Sequence, residues 1–258
     1  MTDPVALNQR RSRILIASIG VVPVVLGVVL DLAAGLLPIL TVVGVVVAVA
    51  VGYLLVSKAD SWVLRSTGAI QADPERYQRL HNLVEGLCLA NGIPKPTIFV
   101  VTDAAPNCFS VGRSARQATL VVTDALVDSL NRVELEGVVA HELVHIRQHD
   151  TQFNAVAALV LGSPLRVLGP VLRWLVGRLE GDHRESLVDL AACQMTRYPP
   201  GLLGALEHID SIGSPTRAAT PATSHLWLAP VAFTNDVADG RHSGHAVMNE
   251  RMALLREL

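Results

Sequence analysis

Charged and aromatic side chains are both scarce in this chain. Of its 258 residues 17% are charged and 4% aromatic, while 50% are hydrophobic. Soluble domains usually carry about 25% charge, so the composition points to more than an ordinary soluble domain, and the disordered, collagen and low-complexity classes are excluded. There is no long basic run and the formal net charge is −2, which argues against a nucleic-acid partner. Three cysteines occur, Cys88, Cys108 and Cys193, with no pair at metal-ligand spacing. That excludes a disulfide scaffold and fits a reducing compartment. With aromatics rare, the hydrophobic excess is Val, Leu, Ala and Ile, the composition of lipid-facing helices.

This excess is concentrated near the N-terminus. Residues 14–30 and 32–56 carry no charge. The second run is long enough for a bilayer core of about 30 Å at 1.5 Å per residue, and the first is near the lower limit. Asp31, Gly35 and Pro38 fall between them, so a tight transmembrane hairpin is expected. Arg10, Arg11 and Arg13 precede it, Lys58 and Arg65 follow it, and the turn has no Lys or Arg. The positive-inside rule then puts both ends, and the chain beyond, in the cytoplasm. A signal peptide would need a better cleavage site than Ala33-Ala34-Gly35 offers. A third apolar stretch, 153–176, is interrupted by Pro164, Arg166, Pro170 and Arg173. It reads as interfacial, re-entrant or a broken span.

Beyond the hairpin the patterning is mainly helical. Apolar spacing predicts a helix over 74–90, stopped by Gly92. Thr97–Val101 reads as a strand, and 108–112 with 119–123 as a hairpin around a basic turn. A short helix is expected at 124–130. Asn131 with Glu134 three residues on is a capping-box signature opening a helix to about His149. Further helices are expected at 182–197, stopping at Pro199-Pro200, at 202–212, and at 247–258.

Chemistry concentrates in His141-Glu142-Leu143-Val144-His145. On a helix the two histidines, four apart, project from one face and can reach one metal ion. Glu142 can reach a water beside that ion, the zinc-protease arrangement of two ligands and a general base. The flanking Val138, Val139, Leu143, Val144 and Ile146 imply a buried helix, where ionisable groups need a reason. A catalytic zinc takes a third protein ligand. His149 lies about 12 Å along the axis from His141, too far to share the ion. Glu185 and Asp189 stand one turn apart on the 182–197 helix. Glu185 as ligand, with Asp189 accepting from a ligating imidazole's other N–H, is a sensible division. Glu180, Asp182 and His183 are weaker rivals.

These residues together resemble the HtpX-type membrane zinc metalloproteases, relatives of the CAAX prenyl protease. The likeness runs from the hairpin to the tail. It rests on Pro106-Asn107 before the hairpin, on the stretch from Val122 to His145, on Glu185 with Asp189, and on His245 followed six residues later by Arg251. The segment His225-Leu-Trp-Leu also has a family counterpart. Three departures stand out: Val188 replaces the usual Ala, Ala246 the usual Pro, and two spans usual between His145 and Glu185 are replaced by one short interrupted stretch.

The expected molecule is mainly α with a small β-sheet and hairpin: a zincin-type HExxH metalloprotease domain at 59–258 behind a two-helix transmembrane hairpin at 1–58. One zinc ion per chain is expected on His141, His145 and Glu185, with Glu142 as base and Asp189 behind a ligand. Asn107, His225, His245 and Arg251 are candidates for holding substrate or its oxyanion. The resemblance implies a multi-pass inner- or plasma-membrane endopeptidase with its catalytic region in the cytoplasm. Its expected partners are the lipid bilayer and polypeptides, chiefly misfolded membrane proteins, with no nucleic acid. The alternatives are an inactive membrane scaffold and a sensor-type membrane metalloprotease in signalling.

Overall fold

A computed structural model describes residues 3–35, 37–163, 169–180, 184–229, 231 and 244–258. The first two helices are long: α1 (Pro4–Ala34) and α2 (Ile39–Ser66), 31 and 28 residues. Asp3 caps α1 by accepting from the Val5 N–H, with Pro4 pre-set for the first turn, and Gly35 ends it at a φ of 62°. Both helices outrun the uncharged stretches. Their most apolar windows are only 22% and 11% buried, so neither is the core helix of a soluble protein. The outward face is Val21, Val22, Val25 and Leu26 on α1, and Val42, Val46 and Val49 on α2.

The sequence puts Asp31 in the connection, whereas the structure puts it in the last turn of α1. There its carboxylate accepts from the Leu40 and Thr41 N–H groups at 3.1 and 2.7 Å and from Thr41 Oγ1 at 2.7 Å. It thereby caps α2, whose first N–H groups lack helical partners. The two backbones touch just below: a Cβ on Gly27 would collide with the Leu40 carbonyl, and one on Gly44 with the Pro23 carbonyl.

The sheet is four-stranded in the order β1-β2-β4-β3, with β1 (Ile70–Gln71), β2 (Thr97–Val101), β3 (Cys108–Gly112) and β4 (Ala118–Thr123). β2 runs parallel to β4; the β1–β2 and β3–β4 pairs are antiparallel. The hairpin pairs Cys108 with Val122 and Val111 with Thr119. Alternation along these strands divides the core. Cys108, Leu120 and Val122 join a cluster with the helices that carry the site; Phe109, Val111 and Val121 join another with α1 and α2.

The helix after the connecting turn is α3 (Gln78–Asn91), and residues 74–77 form a turn instead of its first turn. α4 (Asp124–Ser129) leads into α5 (Arg132–Gln148), which carries the complete capping box and closes on His149 in the left-handed region. The 153–176 stretch falls in two short helices, α6 (Thr151–Gly162) and α7 (Gly169–Glu180), of 12 residues each. At about 18 Å apiece neither crosses a bilayer; Pro164 and Arg166 lie outside the described residues. α6 is largely buried and packs against both α2 and β3, so it joins the hairpin to the sheet. α8 (Arg184–Thr196) and α9 (Pro199–Ile212) pack on α5. Pro199-Pro200, expected to stop α8, instead opens α9, where the missing N–H costs no helical bond. α10 (Gly244–Arg256) packs on α8 and α9.

Candidate active site

α5 delivers His141, Glu142 and His145 into the interior at 0, 2 and 6% exposure. A helix with ionised or ionisable groups that deep needs them paired. His141 Nδ1 stands 2.8 Å from Asp189 Oδ1, and His145 Nδ1 stands 2.8 Å from Asp150 Oδ2. Burial raises the pKa of both carboxyls, and their cationic neighbours outweigh it and hold them below the usual carboxylate value. They are therefore ionised and can only accept, so each imidazole carries a hydrogen on Nδ1.

The consequence falls on the other ring nitrogens. His141 Nε2 and His145 Nε2 face each other 3.0 Å apart, and Glu185 Oε2 completes the group at 3.4 and 3.7 Å. Three electron-pair donors converge with no hydrogen assigned between them, an arrangement that repels itself without a cation. Burial opposes charge on His145, but the Asp150 and Glu185 carboxylates raise its pKa to about 10. Burial likewise opposes charge on His141, and Asp189 and Glu185 raise it. Glu185 is pulled well below its usual range by the two imidazoles, against its own desolvation.

The residues fit a metal ion. Two imidazoles and one carboxylate are the zinc-hydrolase donor set, and at zinc bond lengths of about 2.0–2.1 Å tetrahedral donors lie roughly 3.3 Å apart. The three separations straddle that figure. The hydrogen bonds behind each imidazole are the ones that fix ligating histidines.

Behind the donors lies a second layer of charge. Arg251, 2% exposed, holds Asp189 with Nε and Nη2 at 2.7 and 2.8 Å and donates from Nη1 to the Leu228 carbonyl. The candidate for oxyanion contact is thus committed to orienting Asp189. Arg184 donates to Asp150 and to Asn154. Asn107 is also spent within the fold: its amide accepts from the Cys108 and Ala229 N–H groups and donates to the Ala229 carbonyl and Thr216. His225 lines the site pocket with Nε2 3.3 Å from the Asn154 carbonyl. The side chain of His245 lies outside the described residues, as do Asp182, His183 and the side chain of Glu180. His149 sits at the helix end, away from the three donors.

Asp150 and Arg184 were not singled out by sequence reasoning. A usable signal existed for Asp150: it immediately follows the turn that ends α5, five residues past His145, where the chain doubles back. Cys108 was noted only as a cysteine. Its Sγ lies 3.5 Å from Glu142 Oε1, and burial beside that carboxylate pushes the thiol far up. The pocket lined by His141, Glu142, His145 and Glu185 has room for roughly one water molecule.

The model of peptidase family M48 matches residues 74–188. A protein named Protease HtpX homolog from Dictyoglomus turgidum is 32% identical, across 83% of this chain and 82% of its own length. Its namesake from Caldanaerobacter subterraneus is 31% identical across 69% and 72%. That from Levilactobacillus brevis is 27% identical across 99% of both chains.

Proposed function

The chain belongs to peptidase family M48, beside the HtpX homologues, and on that premise we propose that it is a membrane-anchored zinc endopeptidase. The observation that carries the reading is the convergence of His141 Nε2, His145 Nε2 and Glu185 Oε2, with both Nδ1 hydrogens turned away onto carboxylates. These three atoms would hold a zinc ion, which when bound would supply Lewis acidity toward a peptide carbonyl and a water of lowered pKa.

The protein's own groups do the rest. Glu142, buried in the same pocket, takes a proton from the water whose oxygen adds to the carbonyl carbon. It passes that proton to the amide nitrogen as the C–N bond breaks. Asp189 and Asp150 hold the imidazole rings against rotation, and Arg251 and Arg184 hold the carboxylates. A substrate peptide pairs as an extended strand with the outer edge of β3, which favours unfolded chain over a particular side chain. Misfolded membrane proteins fit that requirement and the anchor. The basic residues on both flanks of the hairpin support a cytoplasmic catalytic region in the cell membrane.

The test is zinc analysis with a casein-type cleavage assay on purified protein. Glu142→Gln should retain zinc and lose cleavage by at least about 10²-fold, and Glu185→Ala should lose the metal as well. Cleavage by Glu142→Gln at the wild-type rate would remove the assigned base. A zinc-loaded wild type without cleavage would leave the scaffold reading in its place.

A further inference from the structure

The outer edge of β3 is not uniformly open. In the antiparallel pair with β4, alternate residues turn their main-chain groups inward to the partner and outward to the edge. The Asn107 carbonyl accepts from the Thr123 N–H, so Asn107, Phe109 and Val111 face inward and Cys108, Ser110 and Gly112 face outward. The chain itself occupies both ends of this outer row. The Cys108 carbonyl accepts from the Leu228 N–H at 2.9 Å, and the Cys108 N–H donates to Asn107 Oδ1 at 3.0 Å. The Gly112 carbonyl accepts from Thr151 Oγ1 at 3.1 Å. Ser110 stands between them.

Its side chain is equally placed. Side chains two apart share a strand face, and Cys108 Sγ reaches Glu142, so Ser110 Oγ points the same way, toward α5. Ser110 lines the pocket that also holds His141, Glu142, His145 and Glu185. It is 3% exposed, and its hydroxyl has no partner among the described residues. A buried hydroxyl without a partner is destabilising, and alanine would remove that cost. The Trp227 N–H also lacks a partner among the described residues and lines this pocket, but its ring packs at 70° against Phe109, whose cluster lies on the opposite face of the strand. Arg251, as described, is engaged elsewhere.

We propose that Ser110 positions the scissile peptide: its main chain pairs with the substrate strand, and its hydroxyl donates to the carbonyl oxygen on which negative charge develops. The inference rests on the peptidase reading and adds the residue that sets the peptide's register against Glu142. The hydroxyl suits an acceptor that arrives with substrate, which accounts for its lack of a partner among the described residues. Its contribution grows as the carbonyl becomes an oxyanion, so it acts on turnover more than on binding.

The experiment compares wild type, Ser110→Ala and Ser110→Thr for zinc content, thermal unfolding and steady-state cleavage of a fluorogenic casein-derived peptide. Ser110→Ala should keep its zinc, unfold at the same temperature or higher, and lose about a hundredfold in kcat with KM changed by less than about threefold. Ser110→Thr, which keeps the hydroxyl, should recover most of that loss. Full kcat in Ser110→Ala would overturn the proposal alone. So would a loss of activity matched by lower stability, with Thr no better than Ala, because that is the signature of packing. Absence of zinc-dependent cleavage in wild type would overturn the peptidase reading and this one with it.

Discussion

The α1–α2 hairpin and the α5–α8 pair are both helix pairs in close contact, yet they are built on opposite plans. In the hairpin the large apolar side chains point outward, and the contact is made by what is missing, Cβ atoms at Gly27 and Gly44. In α5 and α8 the ionisable groups point inward, and the contact is made by charge: His141 to Asp189, Asp189 to Arg251. One pair suits the proposed membrane setting, where helices gain little from apolar attraction and pack by close backbone approach. The other holds three mutually repelling donors in register and depends on every counter-charge behind them. The first should tolerate changes of outward shape and the second almost no change of charge.

The sharpest way to break this contrast is Asp189→Ala. It leaves Arg251 buried without its partner, a loss of about 3–5 kcal/mol in such settings, and frees the His141 ring. Unfolding in detergent should shift by that amount and zinc affinity should drop about 10- to 100-fold. A shift below 1 kcal/mol would mean that the charge layer is ornamental.

A second test follows the titration of His145. With the folded pKa of His145 raised from 6.5 to about 10, a zinc ion bound as proposed would have to displace a proton throughout the neutral range. Zinc affinity in a chelator competition should rise about tenfold per pH unit from 7 to 9 and level off above 10. For the metal-free chain the sign is reversed. Stability contributed by the protonated imidazole is fully present below about 6.5 and fades as pH climbs through about 10. Flat affinity across this window would show that His145 is not held by Asp150 and Glu185 as described.

The hairpin supplies the smaller effects. Gly27→Val forces the backbones apart and should destabilise by about 1–3 kcal/mol. Val46→Leu, on the outward face at 62% exposure, should stay within about 0.5 kcal/mol. Equal losses at the two positions would erase the distinction between an inner seam and a lipid face.

Much of this was legible before any coordinates. HExxH spacing, the capping box at Asn131 and the strand alternation around Arg113–Arg116 are local patterns. Local patterns are set by helical and pleat periods that sequence displays directly. Glu185 and Asp189 were legible as a pair on one helix face, because one turn of helix fixes their relation. What sequence did not display was which distant group meets which. Arg251 and Asp189 are 62 residues apart, and their pairing depends on how α8 and α10 dock, which no period encodes. The same holds for Asn107, whose amide matches the main chain at Ala229, 122 residues on. Pro199-Pro200 was ambiguous in principle, since proline both ends one helix and suits the first turn of the next.

Asp31 has a consequence for how the anchor is assembled. Among the described residues its carboxylate takes its three hydrogen bonds from the first residues of α2, so the neighbouring helix stands in for the hydration shell. Were α1 to enter hydrocarbon by itself, that acid would arrive bare, at several kcal/mol of desolvation. If the hairpin anchors the chain as proposed, the route of lowest cost inserts both arms together, already folded back on one another, with the acid sealed at the bend before it leaves water.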